Sequence, residues 1–396
     1  MDAVIVAAAR SPIGRANKGS LVDLRADDLA VAMARAALGQ VPALDPSGLD
    51  DIILGCAQPA GEQGYNLARS VAVRLGLDGV PGTTVNRYCA SSLQAIRMAF
   101  HAIRAGEGHA FLAAGAESVS RYGNGRADGM PDTKNPAFRP FTPAGRWVDP
   151  RENGELPDLH IAMGETAENV AQWCGVSREE QDEYAVLSQN RAEKAIADGF
   201  FDVDVTPVTR PDGTVVARDD GPRAGTTLAK LATLAPVFRP DGTVTAGNAC
   251  PLNDGAAAVV VMSATRARDL GLQPLARIVA TGVSALSPEI MGLGPIEASR
   301  RALAHAGLGV SDVDLVEINE AFAAQVVPVI RELGLDPDRV NVHGGAIALG
   351  HPFGMTGARI ATTLVNSLRW RDGQFGLETM CTAGGQGMAM VLERLA

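Results

Sequence analysis

The sequence lacks the paired cysteines that mark disulfide scaffolds and cysteine-based zinc sites. None of its five cysteines belongs to a CxxC pair, and no other metal-ligand spacing is present. They stand singly, as Cys56, Cys89, Cys174, Cys250 and Cys381. An odd, scattered set in a chain of 396 residues is typical of a reducing compartment. We therefore expect a cytoplasmic protein with no metal site.

A basic excess and a long apolar run are also missing. The net charge of -10 argues against nucleic acid as the main partner, because phosphate binding needs a basic face. No run approaches the roughly 20 apolar residues of a membrane span. The N-terminal stretch "AVIVAAA" lacks the basic segment and cleavage site of a signal peptide, so it is predicted to be a first buried strand.

Several catalytic motifs are absent as well. There is no G-x-S-x-G elbow, no Walker A loop, no G-x-G-x-x-G after a strand and no HExxH. These absences argue against four activities: serine hydrolysis of the α/β-hydrolase type, ATP hydrolysis, hydride transfer and zinc proteolysis.

What the sequence does contain is a regular alternation of strand-like and helix-like segments. "AVIVAAA", "DDIILGCA", "GTTVNRY" and "HAFLAAGAES" have the composition of strands, and these strands are expected to be largely buried. "LRADDLAVAMARAAL" and "SSLQAIRMAFHAIRAG" have the periodicity of amphipathic helices. The alternation predicts an α/β protein.

A non-repeated segment interrupts this alternation. Residues 121–158 are rich in Gly, Pro, Asn and Asp and predict irregular structure. A helix follows, opened by a capping box of Ser177 and Glu180. From about residue 256 the α/β alternation resumes in the order already seen, which favours a duplicated α/β fold with an insert. The predicted units are a first half at 1–120 completed by about 251–270, an insert at 121–250, and a second half at 271–396.

Cys89 is the first candidate for chemistry. In "TTVNRYCASSLQAIRMAF" it lies between a strand and the helix that opens at Ser91 and Ser92. Unpaired N–H groups and the positive dipole end of a helix favour the thiolate, which is the nucleophile of covalent catalysis. The alternative is an inert core thiol, since cysteine is among the most buried residues.

Two further candidate motifs lie at predicted strand ends. Asn319 and Glu320 follow an apolar strand in "INEAFAAQ", where side chains often face a site, although Asn also caps helices. Cys381 precedes a glycine-rich turn in "MCTAGGQG", whose N–H groups could stabilise an oxyanion. The alternative for Cys381 is a buried thiol beside a turn.

His351 is the fourth candidate. It lies among five glycines in "HGGAIALGHPFGMTGA", and such a loop brings the backbone close to a ligand or to another strand. A histidine there can act as a general base near neutral pH. A hydrogen-bonded structural histidine in a tight turn is the alternative, and His343 is a weaker competitor.

Together these motifs resemble the thiolase family. "GNACPLNDGAAA", "NEAFA", "GGAIALGHPFGMTGAR" and the cysteine followed by glycines occur in the family's order, and the resemblance covers essentially the whole chain. The resemblance implies a thiolase fold, in which two similar α/β halves form an αβαβα layered arrangement with an inserted loop domain.

The resemblance also implies catalytic roles. Cys89 corresponds to the cysteine that becomes acylated, His351 to the base that activates it, and Cys381 to the second cysteine that moves a proton. Asn319 and His351 would form one oxyanion hole, with a water held by Asn319, and the amides of Cys89 and Ala383 the other. No cofactor is implied, since coenzyme A (CoA) is a substrate.

CoA contacts are implied at Arg223, Cys250, Met163 and Ala246. Four positions depart from common family patterns. Ala383 stands where a glycine is frequent, and Cys250 and Pro251 stand where many members have Ser and Gly. Ala162 precedes Met163 where biosynthetic acetoacetyl-CoA thiolases have His. The last departure favours a degradative 3-ketoacyl-CoA thiolase that cleaves 3-oxoacyl-CoA with CoA in a ping-pong scheme.

Two alternatives stay open. One is a biosynthetic acetoacetyl-CoA thiolase, and the other is a non-catalytic thiolase-fold protein that binds acyl-CoA. A ketosynthase-type condensing enzyme is disfavoured by Cys381. The resemblance further implies a homodimer or homotetramer, and it leaves the acyl chain open.

Overall fold

The computed structural model describes residues 1–124, 135–138, 140–143 and 145–396. The strands are β1 (Ala3–Arg10), β2 (Gly14–Arg15), β3 (Asp51–Gly55), β4 (Gly82–Val85), β5 (Ala110–Ser118), β6 (Val208–Thr209), β7 (Val215–Val216), β8 (Asn253–Ser263), β9 (Ala276–Ala285), β10 (Leu315–Ile318), β11 (Phe375–Thr382) and β12 (Gln386–Arg394). The helices are α1 (Ala26–Gly39), α2 (Leu67–Arg74), α3 (Ser91–Ala105), α4 (Met163–Cys174), α5 (Arg178–Ala197), α6 (Phe200–Asp204), α7 (Leu228–Ala232), α8 (Ala264–Asp269), α9 (Gly294–Ala306), α10 (Ala323–Leu333), α11 (Ala346–Leu349) and α12 (Thr356–Trp370).

The two halves of the chain build the same strand pattern. In the first half the order is β4-β3-β5-β8-β1, with β4, β3 and β5 parallel and β8 antiparallel to both β5 and β1. In the second half the strand order β10-β11-β12-β9 repeats these relative directions: β10 and β11 are parallel, and β12 is antiparallel to both β11 and β9. An isolated parallel bridge between Val316 and Val340 takes the place that β4 has in the first half. Strands β1 and β9 join the halves edge to edge.

The helices form layers around these strands. Helices α1 and α2 share a buried apolar cluster with the first set of strands, and α9 and α10 share one with the second set. Helices α3 and α12 lie between the two sets and contribute to a third cluster with strands of both halves. The predicted αβαβα arrangement is therefore confirmed.

Sequence patterns explain why these elements form where they do. Strand β8 is buried along its whole length, as its continuous apolar run requires. Helix α5 begins with the predicted capping box of Ser177 and Glu180. The strand expected to run to Tyr88 ends instead at Val85, because Tyr88 takes a positive φ of 47° and opens a single 3-10 turn.

The segment between the halves carries α4 to α7 and the small β6–β7 hairpin. Helices α4 and α5 pack on α10, so this segment covers the second half of the molecule. Among the helices of the described ranges, none has the length and apolar character needed to cross a membrane.

The topology gathers strand ends at one edge. Because β3, β4 and β5 are parallel, their carboxyl ends share an edge, and β10 and β11 do the same in the second half. Cys89 follows β4, Asn319 follows β10 and Cys381 is the penultimate residue of β11. The carboxyl ends of parallel strands are the usual place for a binding site.

Candidate active site

Cys89 lies in a short turn, residues 86–90, that we call the Cys89 turn. Its backbone is fixed by flanking side chains. The Asn86 Oδ1 atom accepts a hydrogen bond from the Tyr88 N–H at 2.7 Å. The Ser91 hydroxyl donates to the Tyr88 carbonyl at 2.6 Å and accepts from the Arg87 N–H at 2.9 Å. These hydrogen bonds therefore hold the cysteine in a fixed turn just before the N-terminus of α3.

The electrostatics of Cys89 differ from what its position at a helix start suggests. Burial raises the pKa of the thiol to about 12, and the negative charge of Glu117 acts in the same direction. The backbone N–H groups of Ala383 and of Cys89 itself lower the pKa, but by less. Because desolvation outweighs these N–H groups, Cys89 is a neutral thiol at neutral pH.

His351 lies in a loop of residues 341–355, the His351 loop, that leads into α12. The imidazole is 1% exposed, and its Nδ1 atom is 2.6 Å from the Thr356 hydroxyl oxygen. Its backbone N–H donates to Asn253 Oδ1 at 2.9 Å. Burial, together with the positive charge of Arg359, lowers the pKa of His351 to about 3, so the ring is neutral.

Asn319 lies beside the other ring nitrogen of this histidine. Its Nδ2 atom is 3.2 Å from His351 Nε2, and its backbone N–H donates to the Thr379 carbonyl at 3.0 Å. Its Oδ1 atom is buried and accepts no hydrogen bond from the residues that the structure describes. Helix α10 is instead preceded by Phe322 at its N-cap position, so Asn319 is not a helix cap.

Cys381 is the penultimate residue of β11, and Ala383 is the first residue of the turn between β11 and β12. Cys381 is fully buried, and burial raises the pKa of its thiol well above the ordinary range; the nearby Cys89 and Cys250 add to the shift. Ala383 is absent from the positions with positive φ, whereas Gly384 and Gly385 have φ of 73° and 74°. The methyl group at 383 is thus tolerated because the two residues that need a left-handed backbone are still glycine.

Glu320 anchors the His351 loop. This carboxylate is fully buried and has no basic partner in the described structure; four hydrogen bonds satisfy it instead. The donors are Tyr184 Oη (2.9 Å), Asn341 Nδ2 (2.7 Å), Ser188 Oγ (2.7 Å) and the Ile347 N–H (3.0 Å). A Cβ at Gly345 would lie 2.2 Å from the Glu320 carboxyl carbon, so glycine is required for the loop to approach.

Glu117, at the end of β5, anchors the same loop from the first half. Its Oε2 atom accepts from the N–H groups of Ala57 and Gly354, each at 2.8 Å. Its Oε1 atom accepts from Gln63 Nε2 and Tyr122 Oη, each at 2.8 Å. No local sequence pattern distinguishes Glu117, Thr356 or Asn253 as site residues, because each acquires its role only through partners that are remote or lie within the folded loop.

A groove of about 130 Å³ holds two of the four expected CoA contacts. Arg223 and Ala246 line it together with Arg15, and Ala249 and Pro251 flank Cys250 on its wall. Neither Arg15 nor Arg223 forms an ion pair in the described structure, and burial and the charge of Arg15 lower the pKa of Arg223. Two unpaired guanidinium groups suit an anionic ligand.

The other two expected contacts lie closer to the thiols. Cys250 donates its N–H to the Ala321 carbonyl at 3.1 Å, and its thiol lies close enough for the charge of Cys89 to raise its pKa. Met163 lies at the start of α4 and packs on the buried cluster that contains Cys381. Met163 is therefore separate from the residues that line the groove.

Four remote segments therefore bring the Cys89 thiol, the neutral His351 imidazole, the Asn319 amide and the Cys381 thiol to the same edge of the sheets. Backbone N–H groups face the Cys89 thiol, and the buried amide lies beside the imidazole. These are the parts that covalent acyl transfer needs.

Two family models match the chain. One, described as thiolase, N-terminal domain, covers residues 3–265, and one described as thiolase, C-terminal domain, covers residues 272–394.

Curated relatives align along the full length. The chain is 44% identical over 405 residues to the 3-ketoacyl-CoA thiolase of Bacillus subtilis (strain 168), with 99% of each chain covered. It is 45% identical over 403 residues to the 3-oxoadipyl-CoA/3-oxo-5,6-dehydrosuberyl-CoA thiolase of Escherichia coli (strain K12), with 100% of each covered.

Solved structures are similar in fold and sequence. The Bacillus anthracis acetyl-CoA acetyltransferase has a TM-score of 0.87 and 42% identity, with 100% of this chain and 99% of that chain covered. Human mitochondrial 3-ketoacyl-CoA thiolase in complex with CoA has a TM-score of 0.88 and 39% identity, with 100% and 98% covered.

Proposed function

Because the chain belongs to the thiolase family, and is an acyltransferase that uses CoA as a substrate and needs no other cofactor, we propose that it is a degradative 3-ketoacyl-CoA thiolase. It would cleave 3-oxoacyl-CoA with free CoA to acetyl-CoA and a shortened acyl-CoA, as in fatty acid β-oxidation. The observation that carries the proposal is the convergence of Cys89, His351 and Cys381, from three remote segments, on one strand edge. Ala162 before Met163 supports the degradative direction.

In the first half-reaction Cys89 is the nucleophile. Its Sγ atom bonds to the 3-keto carbon of the substrate while its proton passes to Nε2 of His351. The bond between carbons 2 and 3 then breaks, and its electron pair forms the enolate of acetyl-CoA. Cys381 protonates carbon 2 of this enolate, which leaves an acyl group on Cys89.

In the second half-reaction the thiol of free CoA replaces Cys89. Cys381, now a thiolate, takes the proton of the incoming thiol, and the CoA sulfur bonds to the acyl carbon. The bond from this carbon to Cys89 Sγ breaks, and His351 returns its proton to Cys89. Every group ends in its starting protonation state.

Two oxyanion holes would stabilise the charges that develop. The Ala383 and Cys89 N–H groups, which already lower the pKa of the thiol, would bind the oxygen of the keto carbon. The protonated His351 would bind the enolate oxygen together with a water held by Asn319, whose buried Oδ1 has no partner among the described residues.

CoA would occupy the groove beside Cys250. Arg223 would face its phosphates, Ala246 would line the same groove, and Cys250 and Met163 would contact the pantetheine nearer to the thiols. We further propose a cytoplasmic homodimer or homotetramer. Its chain would divide into a first half at 1–120 completed by about 251–270, an insert at 121–250 and a second half at 271–396.

The experiment is a substrate series with mass spectrometry of the Cys89 peptide. We expect acetyl-CoA to acetylate Cys89, and thiolysis of 3-oxohexanoyl-CoA and 3-oxooctanoyl-CoA to exceed that of acetoacetyl-CoA in kcat/KM. Highest activity with acetoacetyl-CoA, accompanied by condensation of acetyl-CoA, would instead indicate the biosynthetic enzyme. A preference for 3-oxoadipyl-CoA would match the activity named for the Escherichia coli relative. An unmodified Cys89, without turnover, would instead indicate a non-catalytic protein that binds acyl-CoA.

A further inference from the structure

We propose that Thr356, which touches no substrate, is a positioning residue that fixes the tautomer of His351. The inference rests on the proposed role of His351 as the base. Thr356 is the first residue of α12 and is fully buried. Its hydroxyl oxygen lies between two partners, the Pro352 carbonyl at 2.7 Å and His351 Nδ1 at 2.6 Å.

The direction of both hydrogen bonds follows from counting protons. A hydroxyl has one proton, and a carbonyl oxygen can only accept. Two oxygens 2.7 Å apart repel unless a proton lies between them, so the Thr356 proton points to Pro352. The Thr356 oxygen must then accept from His351, which places the imidazole proton on Nδ1.

The other imidazole nitrogen is consequently bare. The pKa of His351 is low, so the ring is neutral and carries a single N–H. Nε2 therefore carries a lone pair in place of a proton, and this lone pair accepts from Asn319 Nδ2 at 3.2 Å. This is the nitrogen that takes the Cys89 proton in the mechanism. The opposite tautomer would place a proton where the base must receive one.

A substitution to valine removes the acceptor without changing the shape of the side chain. In Thr356→Val the Nδ1–H group would be buried without a partner, which favours the tautomer with the proton on Nε2. We expect kcat/KM for thiolysis to fall roughly 10- to 100-fold. Thr356→Ser keeps the hydroxyl and should stay within about threefold of the parent protein.

Helix α12 offers a matched control. Thr362 is also buried, and its hydroxyl also donates to the carbonyl four residues earlier, that of Ala358 at 2.8 Å. Unlike Thr356, it forms no hydrogen bond with a histidine among the described residues. Thr362→Val should keep the parent rate. Equal losses in Thr356→Val and Thr362→Val would reduce Thr356 to a structural role and overturn the proposal.

The tautomer itself is measured by ¹⁵N NMR of histidine-labelled protein, with the His351 signal assigned by its loss in His351→Asn. We expect a protonated Nδ1 and a bare Nε2 in the parent protein and the reverse in Thr356→Val. A protonated Nε2 in the parent protein would overturn the proposal even if Thr356→Val fails to fold. Since this readout needs no turnover, it separates a wrong tautomer from a wrong substrate or reaction.

Discussion

The Cys89 turn and the His351 loop occupy matching places in the two halves of the molecule. The Cys89 turn follows β4, which pairs with β3. The His351 loop follows Val340, which forms the equivalent parallel bridge to β10. Each leads into a helix of the middle layer, α3 or α12. The Cys89 turn is short and is held by neighbouring side chains. The His351 loop is longer and is held by two remote buried carboxylates, Glu117 and Glu320.

The comparison shows how a duplicated fold can place a thiol in one half and an imidazole in the other. A tight turn leaves one thiol beside the N–H of Ala383, whereas a glycine-rich loop allows the backbone to approach Glu320 and other buried groups closely. The two sites meet because α3 and α12 pack directly, with Ser92 Oγ accepting from the Ala358 N–H at 2.9 Å. Disturbing either loop, or their contact, tests this division of roles.

The largest effect is expected from removing the nucleophile. Cys89→Ala should lower thiolytic turnover by at least about 1000-fold, because it removes the proposed acceptor of the acyl group. Thermal unfolding should be nearly unchanged. Cys174→Ala is the control, because this half-buried cysteine at the end of α4 lies outside the site and should keep full turnover. Residual turnover of Cys89→Ala near the parent rate would refute the mechanism.

The second prediction concerns the pH dependence of Cys89 reactivity, and it uses the protonation states of Cys89 in the one loop and His351 in the other. The pKa of Cys89 is raised to about 12 and that of His351 is lowered to about 3, so thiol and imidazole are both neutral between these values. The rate of Cys89 alkylation by iodoacetamide should therefore rise by up to about tenfold per pH unit from pH 6 to 9, as the thiolate fraction grows. Peptide mass spectrometry would follow the reaction. A plateau between pH 6 and 8 would indicate a thiolate–imidazolium pair instead.

The third prediction breaks the anchor of the His351 loop. In Glu320→Gln an amide NH₂ must face hydrogen-bond donors, so at least one buried donor loses its acceptor. We expect the free energy of unfolding to fall by about 2–4 kcal/mol, with a loss of activity. Urea unfolding would measure the change. Glu332→Gln, at an exposed position, should change it by less than about 0.5 kcal/mol.

The smallest effect is expected at the contact between the middle helices. A Cβ at Gly357 would lie 2.4 Å from the Leu93 backbone nitrogen, so Gly357→Ala must push α12 away from α3. We expect a loss of about 1–3 kcal/mol in unfolding free energy. Gly39→Ala is the control, since nothing lies within 4 Å of its added Cβ, and it should be neutral or slightly stabilising. Equal stability of the two variants would show that the helices adjust freely.

Much of the fold followed from local patterns. The alternating strands and helices, the capping box at Ser177 and the duplicated order were all predicted, because burial on a sheet or helix face dictates periodicity. Element ends were less accurate: the strand expected to reach Tyr88 ends at Val85 because of a positive φ that no periodicity reveals.

The site was predicted less completely than the fold. Cys89, Asn319, His351 and Cys381 were chosen by residue type and motif, and their catalytic roles remain proposals. Glu117 was missed because a glutamate near the end of an apolar strand has no distinctive local pattern. It contacts Gly354, 237 positions away in the chain.

The sequence by itself determined the types of reactive group, their order and the alternation that builds two similar halves, because these depend on composition and spacing. Only the tertiary structure decided the chemical state of those groups. The pKa of Cys89 and the neutrality and tautomer of His351 depend on burial and on Ala383, Arg359, Thr356 and Asn319, which meet only when both halves are packed. Proton positions in a buried site are set by three-dimensional neighbours, and no linear pattern encodes them.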